Sequence, residues 1–273
     1  MVDYSDTSLG HVTRYGAELD AELLHPIGRS KARQNNRALD VAFLGFDLWT
    51  AYELSWLNSR GLPQMAIAEL SVSCKSPNIV ESKSVKLYLN SLNQATFDSW
   101  KTVQARLIKD FSAAIEFPIE INLYPIDTYN LQRPMSMPSG YCLDSHDVDI
   151  KQYTPDTQLL SVTDGAATTE TLYSHLLRTN CPVTNQPDWG SIYVSYTGAP
   201  INKDGLLAYI VSYRQHQDFH EQCIEQVFQD IWHVCQPSRL AVYGRYLRRG
   251  GIDINPFRSS YQVLPPSFRE VRQ

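Results

Sequence analysis

Several common signatures are missing from this chain, and each absence narrows its possible functions. The five cysteines include no C-x-x-C pair, which argues against a disulfide framework and a closed structural zinc site. No G-x-G-x-x-G motif occurs, so a Rossmann dinucleotide site is not expected. No apolar run approaches about eighteen residues, so we expect no membrane-spanning helix. No basic stretch followed by an apolar core opens the sequence, so we expect no secretory signal and a reducing, cytoplasmic location.

Charge and composition are those of an ordinary globular protein. The formal net charge is -5 and charged residues make up 19% of the chain. Because no basic stripe dominates this balance, the chain is not expected to grip a nucleic-acid backbone. We therefore expect no direct contact with nucleic acid and no membrane partner.

The sequence divides into a polar start and two halves that repeat the same order of elements. Residues 1–38 are polar and irregular and are predicted to form an N-terminal arm. The hydrophobic pattern predicts two strands, two helices and a returning strand in each of the two modules, residues 39–135 and residues 136–273. This repetition predicts a duplicated α+β module, an antiparallel sheet with two helices on one face. The predicted strands include 64–72, 119–124, 191–196 and 240–246, and the predicted helices are 82–92, 96–115, 203–214 and 218–235.

The run from Cys181 to Gly190 places a thiol and the carboxylate of Asp188 seven positions apart. Its prolines and asparagines exclude a helix interior and predict a turn, where a side chain can face a pocket. A thiol nucleophile needs a partner that manages protons, and Asp188 could be that partner. The alternative is a buried or incidental thiol.

A predicted helix start near Glu81 could attract an anion. Ser82 is a plausible N-cap, the amides of a helix start favour negative charge, and Lys83 and Lys86 add positive charge. The alternative is a solvated helix start with two ordinary surface lysines, one of which pairs with Glu81.

A second predicted helix begins at the run Phe219–Glu221. His220 can relay protons near neutral pH, and Glu221 can accept two parallel N–H donors such as a guanine-like edge presents. The alternative is an exposed histidine beside a helix-capping acid.

Arginines 245, 248 and 249 run into Gly250 and Gly251, which suggests either a phosphate clamp or an exposed strand edge. His233 and Cys235 do not share a helix face, and Cys223 fits the apolar core stripe. No metal site is therefore predicted.

Several segments, in the right order, together resemble the long, two-module form of the NADPH-dependent 7-cyano-7-deazaguanine reductases, the nitrile reductases of queuosine biosynthesis. The resemblance implies tandem tunnelling-fold modules, each an antiparallel sheet with two helices, and a homodimer. The matching segments are Tyr52–Asn58, Glu81–Asn90, Asn180–Gly190, Phe219–Cys223 and Arg248–Pro256.

The resemblance also implies a reaction and a role for each site residue. The nitrile of 7-cyano-7-deazaguanine would be reduced to the primary amine of 7-aminomethyl-7-deazaguanine with two NADPH, through a covalent thioimide on Cys181. Asp188 would supply a proton and His220 would assist. One site would draw on both halves. The implied substrate-binding residues are Val80, Glu81, Ser82, His220 and Glu221, and the implied NADPH-binding residues are Ser82, Lys83, Arg249 and Gly250.

Other functions remain open for the same residues. A thiol-dependent nitrile or amide hydrolase would share Cys181 and an acid but need no nicotinamide. A non-catalytic purine- or pterin-binding module of the same fold would need no reactive thiol. A GTP-cyclohydrolase-like activity would ordinarily require a set of metal ligands that is not found in the sequence.

Overall fold

A computed structural model describes residues 19–33, 41–136 and 139–273 of the chain. The chain forms two compact units. Of the described residues, unit 1 comprises 19–33, 46–134 and 248–254, and unit 2 comprises 41–45, 135–136, 139–247 and 255–273. Residues 1–18 and 34–38 of the predicted arm lie outside the described residues.

Ten strands and six α-helices follow one another along the described chain. In chain order they are β1 (Pro26–Gly28), α1 (Arg29–Arg33), β2 (Leu44–Leu57), β3 (Pro63–Ser73), β4 (Asn78–Val80), α2 (Ser82–Ser91), α3 (Trp100–Ile115), β5 (Glu120–Tyr124), α4 (Ile126–Gln132), β6 (Tyr141–Cys142), β7 (Thr168–Asn180), β8 (Pro187–Gly198), α5 (Lys203–Ser212), α6 (His220–Cys235), β9 (Arg239–Tyr246) and β10 (Ile252–Ser259). Short 3-10 turns lie at Ala21–Leu23, Thr157–Leu159 and Tyr213–Gln215. No helix among the described residues is long and apolar enough to cross a membrane.

Unit 1 is built on an antiparallel sheet in the order β5-β3-β2. The pairing of β2 with β3 shifts by one residue between Ala51 and Leu54, which is a β-bulge. Side chains of a regular strand alternate between its two faces, and the extra residue reverses this alternation in β2. Ala51 and Leu54 therefore both point into the core, although they are three positions apart. The bulge thereby keeps the apolar side chains of Trp49, Ala51, Leu54 and Trp56 on one face of the strand.

Helices α2 and α3 cover that face. Helix α3 begins at Trp100 because the Ser99 hydroxyl accepts a hydrogen bond from the Thr102 amide, a standard N-cap. It ends at Glu116, whose left-handed backbone lets its N–H reach the Ser112 carbonyl. Their buried apolar residues recur at helical spacing: Val85, Tyr88 and Leu89 in α2, and Val103, Leu107, Phe111 and Ile115 in α3.

Unit 2 repeats this plan with its strands in the order β10-β9-β8-β7-β6. Strands β10 and β9, β9 and β8, and β8 and β7 pair antiparallel, and the short β6 pairs parallel with β7. Strand β7 carries the same one-residue bulge, between Ser174 and Leu177. Helices α5 and α6 cover the resulting apolar face and share one core with it.

Both units contain the same buried hydrogen bond between their two helices. The Tyr88 hydroxyl of α2 donates to Asp110 of α3 over 2.7 Å, and the Tyr209 hydroxyl of α5 donates to Asp230 of α6 over 2.6 Å. Helices α2 and α5 each have 10 residues, and α3 and α6 each have 16. The predicted α+β class is confirmed, and the repeated bulge and repeated bond support the predicted duplication at the level of single residues.

Three sequence predictions need correction. Helix α3 starts four residues later than predicted, because Thr96 instead forms a bridge with Leu57. Residues 126–132, for which no helix was predicted, form helix α4. Residues 187–190, predicted to continue the turn after Cys181, belong to strand β8.

Candidate active site

Cys181 follows the last residue of β7, where the β7–β8 hairpin closes. The hairpin ladder pairs Asn180 with Pro187, and one further hydrogen bond joins the Cys181 amide to the Gln186 carbonyl over 2.9 Å. The Asn185 amide donates back to the Cys181 carbonyl over 3.0 Å. The turn is therefore shorter than predicted, and it presents the thiol from a hydrogen-bonded strand end.

Strand register places Cys181 and Asp188 on the same face of the hairpin. Asp188 lies directly opposite Thr179, and Cys181 is two residues further along the same strand. Side chains two apart in a strand share a face, so Cys181 and Asp188 are diagonal neighbours, with backbones roughly 7–8 Å apart. Without the bulge between Ser174 and Leu177, Cys181 would point to the opposite face. Both side chains are buried.

The start of α6 lies over this face. The His220 Nε2 atom is 3.5 Å from Asp188 Oδ2, and the His220 ring stacks on the Tyr246 ring with centroids 3.7 Å apart and planes 3° apart. Tyr246 is opposite Gly190 in the sheet. A Cβ at Gly190 would come within 3.2 Å of the Tyr246 ring, so the glycine leaves room for that ring.

Tyr246 was not predicted as a site residue. Its position depends on the register of β8 with β9 and on the way α6 crosses the sheet. The tyrosine at the end of a predicted strand was visible in the sequence, but nothing in the sequence joined it to His220.

Burial and negative charge keep the groups around Asp188 protonated. Burial, together with the charges of Asp218 and Asp188, raises the pKa of the Cys223 thiol well above its usual range. Burial also raises the pKa of the Tyr246 hydroxyl, and Cys223 and Asp188 raise it further. Cys223 is thus a neutral thiol inside the core, as predicted, rather than a second nucleophile.

Three buried polar atoms belong to residues adjacent in sequence to Cys181 or Glu221. Asn180 Oδ1, His220 Nδ1 and Gln222 Oε1 have no hydrogen-bond partner among the described residues. Buried polar groups are nearly always hydrogen-bonded in native proteins, so these atoms are available to a polar ligand or to water. Glu221, on the first turn of α6 between His220 and Gln222, is also buried.

Glu81, rather than Ser82, caps helix α2 in unit 1, which corrects the sequence prediction. The two carboxylate oxygens of Glu81 each accept one hydrogen bond over 2.7 Å, from the amides of Lys83 and Ser84. The side chain is fully buried. Two of the helix-start amides that were predicted to attract an anion are thus already bonded to Glu81. Val80, the last residue of β4, is buried and Ser82 is half-buried.

The glycine turn after Arg249 forms one wall of a polar cavity in unit 1. The Arg249 amide donates to the Ile252 carbonyl over 2.9 Å, and Gly250 and Gly251 have φ angles of 65° and 82°. A Cβ at Gly250 would lie 3.0 Å from Lys86 Cε, so the lysine side chain packs against the turn. The cavity measures about 200 Å³ and is lined by Ala51, Glu53, Lys86, Leu89, Asn90, Asn93, Gly250, Gly251 and Ile252.

Two of the three predicted clamp arginines are bound to other groups. Arg245 is buried and donates to the Tyr243 hydroxyl over 2.7 Å and to Gln273 Oε1 over 2.9 Å, so it is not a phosphate clamp. Arg248 pairs with Glu53 over 2.7 Å. Arg249, half-buried, keeps its predicted role as a hypothesis.

Cys181, Asp188, His220 and Glu221 all belong to unit 2. The other predicted site residues, Val80 to Lys83, Arg249 and Gly250, belong to unit 1. That one site draws on both halves of the chain stays a prediction.

Comparison with known proteins matches both halves of the chain to one family. The family model "Nitrile reductase, 7-cyano-7-deazaguanine-reductase N-term" matches residues 15–123, and the model "QueF-like protein" matches residues 187–263. The NADPH-dependent 7-cyano-7-deazaguanine reductase of Albidiferax ferrireducens is 48% identical over 284 residues, with 98% of each chain covered. Its counterpart in Burkholderia cenocepacia is 52% identical over 271 residues, covering 97% of this chain and 98% of its own.

Among solved structures, the archaeosine synthase QueF-Like in its apo form matches with 14% sequence identity and a TM-score of 0.32. The match covers 37% of this chain and 100% of that one, and it is too distant to carry an argument.

Proposed function

This chain belongs to the NADPH-dependent 7-cyano-7-deazaguanine reductase family, and we propose that it reduces the nitrile of 7-cyano-7-deazaguanine to a primary amine. Family membership agrees with the resemblance read from the sequence and with its tandem tunnelling-fold class. The observation that carries the proposal is the bulged hairpin that puts Cys181 and Asp188 on one face, beneath His220.

In the proposed first step, the sulfur of Cys181 adds to the electrophilic nitrile carbon. One C–N π bond and the S–H bond break and a C–S bond forms, while the thiol proton passes to Asp188 and from Asp188 to the nitrogen, which gives a neutral thioimide. Asp188 is the proton donor, because it is the carboxyl group on the same face as the thiol. It is buried, so it exchanges this proton with the substrate rather than with bulk water.

His220 is the second proton carrier. Its Nε2 atom lies 3.5 Å from Asp188, so a proton passed to the substrate can be replaced through the imidazole. After the carbon has been reduced, the C–S bond breaks, the thiolate of Cys181 leaves, and an imine remains. Reduction of the imine gives the amine, and the nitrile takes up four electrons and four protons in all.

The substrate's guanine-like edge needs buried acceptors. Glu221 is buried beside the unpartnered Gln222 Oε1 and can accept two parallel N–H donors. Val80, Glu81 and Ser82 are proposed to complete substrate binding from unit 1. Because both Glu81 oxygens already cap α2, Glu81 would receive the substrate with a carboxylate that the helix start holds in place.

The residues proposed for NADPH fit a phosphate-bearing ligand. Gly250 has no Cβ, and the side chain of Lys86 packs against its turn. Both residues line the polar cavity. Ser82, Lys83, Arg249 and Gly250 would hold the cofactor, and of these four Gly250 lines the cavity. When bound, NADPH supplies one hydride in each of two rounds. The chain's own contribution is to anchor the phosphates and to keep the reacting carbon attached to Cys181.

The test is intact-mass spectrometry of the protein with 7-cyano-7-deazaguanine and no NADPH. A mass increase of one substrate is expected, and Cys181→Ala should abolish it together with substrate-dependent NADPH oxidation. Asp188→Asn, which keeps the size of the side chain, should lower turnover by roughly 10²–10⁴-fold. Hydrolysis of the nitrile without NADPH consumption would favour the hydrolase, and binding without an adduct would favour a non-catalytic module.

We further propose a cytoplasmic homodimer that acts on the free base without contacting nucleic acid. All five cysteines are free thiols, as a reducing compartment would maintain them. In unit 1, β5 is an edge strand that a second copy could cover. Light scattering after size-exclusion chromatography tests the dimer. A gel-shift assay with transfer RNA tests whether the protein contacts nucleic acid.

A further inference from the structure

Two side-chain amides hold the backbone of Tyr246 where β9 ends. The Tyr246 N–H donates to Asn255 Oδ1 over 3.0 Å, and the Tyr246 carbonyl accepts from Gln273 Nε2 over 2.8 Å. Both amide residues are buried, Asn255 completely and Gln273 with 8% of its surface exposed. Strand β9 pairs with β10 through residues 241–243. At Tyr246 the side-chain amides of Asn255 and Gln273 therefore replace the backbone hydrogen bonds that a neighbouring strand would make.

Gln273 is itself held at every polar atom of its side chain. Its Oε1 atom accepts from Arg245 Nη2 over 2.9 Å and from the Glu270 amide over 2.8 Å. Glu270 is buried and accepts hydrogen bonds from the Ser191 hydroxyl over 2.5 Å and from the Tyr193 hydroxyl. The segment 270–273 is therefore anchored to β8 and β9, and the amide group of Gln273 has one orientation available to it.

We infer that Gln273 is a positioning residue for the proposed reaction, acting through Tyr246 on His220; its kinetic consequence rests on the proposed function. The Tyr246 carbonyl is a buried acceptor, and without its donor the end of β9 must move to find another partner. The His220 ring lies 3.7 Å above the Tyr246 ring, so a shift of Tyr246 changes the plane of the imidazole. His220 then loses its approach to Asp188.

Gln273→Glu is the sharpest variant, because it keeps size and the acceptor for Arg245 but removes the donor to the Tyr246 carbonyl. Gln273→Ala, which introduces no charge, is the second variant. Gln229→Ala is the matched control: Gln229 is another buried glutamine of unit 2, and its amide nitrogen has no hydrogen-bond partner in the described part of the chain. Tyr246→Phe keeps the stacked ring, and Tyr246→Leu removes it.

The first measurement does not depend on activity. With histidine labelled in the ring, the His220 signals, assigned from His220→Gln, should show the upfield ring-current shift of a stacked imidazole. We expect this shift to shrink in both Gln273 variants and in Tyr246→Leu, and to persist in Tyr246→Phe and Gln229→Ala. His220 signals at wild-type positions in both Gln273 variants would overturn the inference.

The second measurement separates positioning from stability. In Gln273→Glu we expect kcat to fall about tenfold, less than the loss of a proton-transfer group, with KM and the Cys181 adduct nearly unchanged. The pH profile of kcat should also shift, whereas Gln229→Ala should leave that profile in place. A wild-type kcat and pH profile in Gln273→Glu would contradict the inference. If the wild-type protein does not reduce the nitrile, the proposed function fails, and the ring-current measurement still decides the positioning of His220.

Discussion

The buried Tyr–Asp bond that occurs once in each unit allows one perturbation to be made twice in the same chain. Tyr88→Phe and Tyr209→Phe each remove one hydroxyl that donates to a buried aspartate. Both tyrosines are completely buried, and burial is the main reason that the pKa of each hydroxyl is raised. The hydroxyls are therefore neutral donors at every ordinary pH, so the two variants remove the same chemical group.

The expected costs differ because the surroundings differ. In unit 1, Asp110 keeps the Arg106 guanidinium at 2.6 Å after the change, so Tyr88→Phe should cost about 1–2 kcal/mol. In unit 2, the Tyr209 hydroxyl also bonds the Tyr213 hydroxyl over 2.8 Å, and Tyr213 is completely buried. Tyr209→Phe removes that partner as well, which adds about 1–3 kcal/mol and brings its cost to roughly 2–5 kcal/mol.

The assay is urea unfolding combined with peptide-level hydrogen exchange, which reads the helices of each unit separately. Tyr153→Phe is the control, because Tyr153 is 41% exposed and its change should cost under about 0.5 kcal/mol. If Tyr88→Phe destabilised its unit as much as Tyr209→Phe, the orphaned Tyr213 hydroxyl would not be the source of the difference.

Three further predictions concern the site and its surroundings. Glu221→Leu, made in a Cys181→Ala background, should weaken substrate binding by about 2 kcal/mol, because donors on the substrate would lose a buried acceptor; unchanged affinity by calorimetry would make Glu221 only a helix-terminal acid. Burial raises the pKa of Cys235 from 9.0 to about 11, so the folded chain holds a proton that the unfolded chain releases, and stability should fall between about pH 9 and 11 in a denaturant series, less so in Cys235→Ala. Asn58→Cys with Gln64→Asp, which copies the thiol and acid into the matching hairpin of unit 1, should give no substrate adduct by mass spectrometry in a Cys181→Ala background, because the first turn of α3 has no carboxylate in the place of Glu221 to bind the substrate.

The periodic spacing of apolar residues predicted the helices well, because the buried face of each helix determines that spacing. Helices α2, α3, α5 and α6 were all found within a few residues of their predicted spans. Their starts were less predictable, because a cap is decided by geometry. Ser82 has the typical N-cap side chain, yet Glu81 caps α2 because its carboxylate reaches two amides at once.

The candidate site could be predicted only as far as single motifs allow. Cys181, Asp188, His220 and Glu221 stand in recognisable runs, and their types carry the chemistry. Tyr246 and Gln273 stand in no such run, because their positions follow from strand register and from a chain segment that returns to the sheet. The prediction that Asp188 lies in a turn was wrong, because the proline at the start of β8 is also a typical turn residue.

The bulge in β7 makes the face on which the Cys181 thiol lies depend on the number of residues in that strand. His175 and Leu176 together oppose Ser191, so the strand beyond them is out of phase with the strand before them. Deleting one of these two codons would remove the bulge and leave Leu177 opposite Gly190, so Cys181 would stay on the face of Asp188. Deleting one codon between Leu177 and Cys181 would instead bring Cys181 opposite Pro187 and turn its side chain to the face opposite Asp188. An in-frame deletion far smaller than a turn would thus separate nucleophile from acid while most of the fold stayed in place.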